Sequence, residues 1–79
     1  MKTRVIISNI YHFQIDEYSC DKAELKHNKG FNDVYFEFKD NLNINVRDYI
    51  HTGNINLKVN RKEFDLVRNV IILNTFNEN

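Results

Sequence analysis

The chain has 79 residues, with eleven Lys and Arg balanced by eleven Asp and Glu, 42% hydrophobic residues, two glycines, no proline and one cysteine. Such a length holds one small core, so a single domain over residues 1–79 is expected, and the balanced charge excludes a strong field toward nucleic acid or anionic lipid. The lone Cys20 excludes an intrachain disulfide and predicts a reducing, cytoplasmic setting. The absence of any stretch near 20 apolar residues, or of an apolar signal-peptide core after the basic start, predicts no membrane partner.

In chain order, the first element alternates as a strand does, with Val5, Ile7, Tyr11, Phe13 and Ile15 on one face and Asn9 marking a bend or bulge. Residues 21–28 allow two readings. Asp21-Lys22-Ala23-Glu24 resembles a capping box that would open a two-turn helix ending at Gly30, whereas Ala23, Leu25 and His27 alternate as a short strand. The strand is preferred, because two apolar residues at i and i+2 give so short a helix almost nothing to bury.

Val34/Phe36/Phe38, Leu42/Ile44/Val46 and Ile55/Leu57/Val59 then alternate like three half-buried strands. Opposed residues of an antiparallel pair share a face. A three-residue loop Lys39-Asp40-Asn41 therefore sets Phe36 opposite Ile44, with Asn41 in the left-handed region. A four-residue loop His51-Thr52-Gly53-Asn54 sets Ile50 opposite Ile55, with Gly53 at positive φ. That register leaves Asp48 opposite Leu57 on the core face, so either the strand bulges near Arg47-Asp48-Tyr49 or Asp48 finds a partner at a sheet margin.

Asn60-Arg61-Lys62-Glu63 has the spacing of a helix cap, and Phe64, Val67, Val70 and Ile71 follow at helical intervals, predicting a helix from Arg61 to about Leu73. The β-branched run Val70-Ile71-Ile72 carries an alternative in which a last strand runs to Phe76. The predicted fold is thus α+β: an antiparallel β-meander of four or five strands with a C-terminal α-helix packed on one face.

The chemistry is sparse. His12, His27, His51, Cys20, Asp16, Glu17 and Asp48 match no zinc or calcium spacing, and no glycine-rich phosphate loop or nucleophile elbow is present, so no cofactor, no metal and no enzymatic activity are expected. What remains is surface. The predicted outer face of the hairpins gathers Tyr35, Glu37 and Lys39 with Asn43, Asn45, Arg47, Asn56 and Lys58. Tyr35, Lys39, Asn43, Asn45, Arg47 and Lys58 are its candidate binding residues. The leading expectation is a non-enzymatic module that binds another protein, with a possible homodimer. The alternative is a single-stranded nucleic-acid binder whose Tyr35 stacks on bases while Lys39, Arg47 and Lys58 follow phosphates. Thirteen asparagines beside abundant Lys, Ile and Phe suit an AT-rich coding sequence. They point to a phage or mobile-element accessory protein that inhibits or regulates a host protein.

Overall fold

A computed structural model describes residues 1–8, 20–28, 33–53 and 55–78, which form one curled, mixed six-stranded sheet. In chain order the strands are β1 (Lys2–Ile7), β2 (Glu24–Asn28), β3 (Asp33–Phe38), β4 (Tyr49–Thr52), β5 (Ile55–Asp65) and β6 (Val70–Asn77), and their order in the sheet is β2-β3-β1-β6-β5-β4. All neighbours are antiparallel except the central pair, where β1 runs parallel to β6 with Lys2 beside Val70 and Val5 beside Leu73. Among the described residues there is no helix and no segment long and apolar enough to cross a membrane as one.

The α+β expectation is therefore corrected at its C-terminal half: the predicted helix from Arg61 to Leu73 is the β5–β6 hairpin. Two features imitate a helical rhythm. β5 bulges at Asn60, so that Val59 faces Thr75 but Arg61 faces Asn74, and the core side passes from odd residues (Ile55, Leu57, Val59) to even ones (Lys62, Phe64). A four-residue turn, Leu66 to Asn69, then separates the strands, and strand, turn and strand together place apolar residues three and four apart. The β-branched Val70-Ile71-Ile72 favours the extended form, and the alternative last strand to Phe76 is the one observed.

The predicted strand Leu42/Ile44/Val46 is also corrected. β3 already has β1 on one edge and β2 on the other, so no edge is left for a third partner. Residues 39–48 instead cross the inner face. The Thr3 hydroxyl donates to the Asp40 carbonyl at 2.8 Å and accepts from the Leu42 N–H at 3.1 Å, fastening this segment to β1. Leu42 and Ile44 turn inward over Phe36 and Phe38 while Val46 is left exposed, and Asn41 has no positive φ.

Elsewhere the strand reading holds. β2 replaces the short helix, with Leu25 opposite Phe36 and His27 opposite Val34. The β4–β5 hairpin is tighter than the four-residue loop predicted, since Ile50 faces Leu57 and Thr52 faces Ile55, but the two-residue shift keeps the same side chains on the core face, and Gly53 has φ 56°. The bulge near Asp48 is present: Arg47 N–H donates to the Val59 carbonyl and Val59 N–H to the Asp48 carbonyl, so two residues oppose one. The predicted continuation of the first strand through Tyr11, Phe13 and Ile15, and the bend at Asn9, lie outside the described residues.

The inner face is the core. Val5, Ile7, Phe36, Ile55, Leu57, Val59, Ile71 and Leu73 form one buried cluster, with Met1, Leu25, Phe38, Ile44 and Ile50 packed at its margin. Its two buried hydroxyls are both partnered, since Thr75 donates to the Ile6 carbonyl at 2.8 Å much as Thr3 does to Asp40.

Candidate functional site

The outer face carries the polar side chains of the same strands. On β1, β2 and β3 three cations converge on one carboxylate: Lys2 at 3.4 Å, Arg4 at 3.2 Å and Lys26 at 3.3 Å from the oxygens of Glu37, whose side chain is only 10% exposed. Burial pushes the Glu37 carboxyl up, but the hydrogen bonds from Lys26 and Arg4, the charge of Lys26 and the Lys2 contact outweigh it and hold the group below the usual glutamate range. The hydrogen bond to Glu37, then its charge, holds the Lys26 ammonium above its ordinary value. The Arg4 guanidinium also lies over the Tyr35 ring, 5.4 Å from its centroid. Lys39 stands on the rim of the open groove that Lys2, Lys22 and Lys26 line around Glu37.

Farther across, Phe76, Lys58 and Tyr49 make a row over β6, β5 and β4, because Lys58 pairs with both its neighbours. The Lys58 ammonium sits 6.0 Å from the Tyr49 ring centroid. Roughly 14 Å, three strand spacings, separates this row's Lys58 strand from that of Tyr35.

The six candidate residues thus divide into two groups. Tyr35 and Lys58 share the outer face, with Lys39 at the rim of its groove, whereas Asn43, Asn45 and Arg47 belong to the segment that covers the inner face. Asn45 is occupied there: its N–H donates to Asp48 Oδ2 at 2.7 Å and its Oδ1 accepts from Lys62 at 3.2 Å. Arg47 is exposed at φ 78°, in the second central position of a turn closed by the Asp48 N–H on the Asn45 carbonyl.

The most conspicuous surface lies at the tip of the β5–β6 hairpin. Leu66 is 81% exposed and Val67 97%, with Phe64 beside them at 59%. The turn beneath them is well made. Asp65 Oδ1 accepts from the N–H groups of Val67 and Arg68, both at 3.1 Å, Arg68 pairs with the same carboxylate, and Asn69 closes the loop at φ 57°, a conformation asparagine tolerates. The helical reading of this stretch hid the site. The spacing of Asp65 and Asn69 around two apolar residues is the signal that marks it as a turn.

Among the described residues no three His, Cys, Asp or Glu side chains gather as metal ligands. An apolar cavity of about 250 Å³ lies between the covering segment and the sheet, lined chiefly by Phe36, Phe38, Leu42, Ile44 and Ile50. No protein-family model matches this chain, and neither a characterised protein nor a solved structure does.

Proposed function

We propose that this is a small accessory protein that acts by docking on another protein, and that the tip of the β5–β6 hairpin is its docking element. The supporting observation is the presentation of Leu66 and Val67, almost wholly in solvent, by a turn that is capped and closed by Asp65 and Asn69. Folding supplies no reason for these residues, because the central positions of such a turn accept polar side chains. Buried in an apolar pocket of a partner, they would contribute about 3–5 kcal/mol together.

The adjacent free edge is a poorer contact. Beyond Val59 the outer side of β5 has no strand neighbour among the described residues, but Arg61, Lys62, Glu63 and Asp65 stud it with charge, the usual protection against edge pairing. The lone cysteine supports a cytoplasmic setting, and the asparagine-rich composition supports a phage or mobile-element protein that inhibits or regulates its partner.

A photo-crosslinking residue at position 67 tests the reading in cells. One dominant protein adduct is expected, competed away by the unmodified protein and not by the double variant Leu66→Ser/Val67→Asn. Adducts no stronger than those from the same reporter at Asn43 would overturn it.

A further inference from the structure

The outer-face row of Phe76, Lys58 and Tyr49 lies remote from the hairpin tip. Six to seven residues of β5 separate Lys58 from Asp65, a run of roughly 20 Å. Tyr49 is 48% exposed and Phe76 42%, and both rings flank Lys58 on adjacent strands, with roughly 10 Å between the outer two backbones. Lys58 has no carboxylate within ion-pair distance among the described residues. By contrast, the carboxylates beside the other cations of this face are held: Glu37 by Lys2, Arg4 and Lys26, Glu24 by Lys26, and Glu63 by Arg61. Two exposed rings around an unneutralised ammonium present π-faces to bases and a positive charge to the phosphate between them. An apolar protein pocket would instead have to desolvate that ammonium without a partner for it.

We infer that the Phe76–Lys58–Tyr49 row binds single-stranded nucleic acid, with a base stacked on each ring and the intervening phosphate on Lys58. His51, paired with Asn56 on the next rung of β4 and β5, is exposed and flanks the row with a ring able to meet base edges. The Arg4–Tyr35 pair, on the same face nearer the opposite edge, extends the path for a longer strand.

Fluorescence anisotropy of a labelled oligo(dT) against the full chain tests this. Binding is expected at low salt, with log K falling against log salt at a slope of about −0.7 to −1.4, as one or two phosphate contacts to a single strand require. Tyr49→Ala and Phe76→Ala should each weaken it about tenfold, while Tyr49→Phe retains it. Because β6 is a central strand, Lys58→Glu serves as a second probe. It should abolish binding with an unchanged circular dichroism spectrum. Leu66→Ser/Val67→Asn should bind as the parent does, so failure at the tip and failure here are distinguishable. No binding at low salt, equal affinity for duplex, or parental affinity in Tyr49→Ala and Lys58→Glu would overturn the inference.

Discussion

Arg47 holds a left-handed backbone, φ 78°, at a bulge position where glycine is the residue without penalty. For an L-residue with a Cβ this conformation costs about 1 kcal/mol or more, and the exposed side chain makes no compensating contact among those described. Arg47→Gly is therefore expected to raise stability by about 0.5–1 kcal/mol, the gain being trimmed by the greater freedom of glycine in the unfolded chain. The urea midpoint measures it, and a fall would show that the arginine side chain holds the turn. Single-residue chemistry was only partly legible. Gly53 could be placed at positive φ because it was the glycine between two alternating runs, whereas the left-handed role given to Asn41 belongs to Arg47, since residues 39–48 cross the core instead of pairing with β3.

Among the elements, the β5–β6 hairpin shows why local pattern misleads. Alternation identified Ile55 to Val59 correctly, and it would have continued through Phe64 but for the bulge at Asn60, which reverses the faces without any glycine to announce it. The hairpin's own chemistry rests on Asp65, whose carboxylate caps two turn amides and pairs with Arg68. Asp65→Ala should cost about 1 kcal/mol, the usual value for losing such a cap, and should speed hydrogen exchange at the Val67 and Arg68 amides while leaving those of β1 protected. Exchange unchanged at the tip would mean that Asn69 and strand pairing hold the turn without it. The same variant would loosen the presentation of Leu66 and Val67, and so the docking surface proposed for them.

Across the whole molecule, one carboxylate ties three strands together, so stability depends on its titration. Glu37 is held below its normal pKa in the folded state, so its contribution is fully present above the unfolded value of about 4.3 and is lost as pH falls through the lowered folded value. Lys26, held above its normal value, contributes below about pH 10.4 and loses that contribution as pH rises through its raised one. Glu37→Gln is expected to be less stable at neutral pH by about 1 kcal/mol and to show a flatter loss below pH 5, read from urea unfolding at a series of pH values. A parallel pH curve in the two proteins would remove Glu37 from this role. At this scale the sequence was least legible: Lys2 beside Val70 is a pairing across nearly the entire chain, and no local periodicity encodes it.

That parallel seam has a consequence for biosynthesis. As the chain leaves the ribosome, β2 and β3 can zip onto β1 at once, but the other flank of β1 stays bare until Val70 to Thr75 have emerged. The nascent half-sheet therefore waits with Val5 and Ile7 on an unsealed strand, and a transcript truncated before codon 70 would yield a chaperone client or an aggregate rather than a smaller folded product.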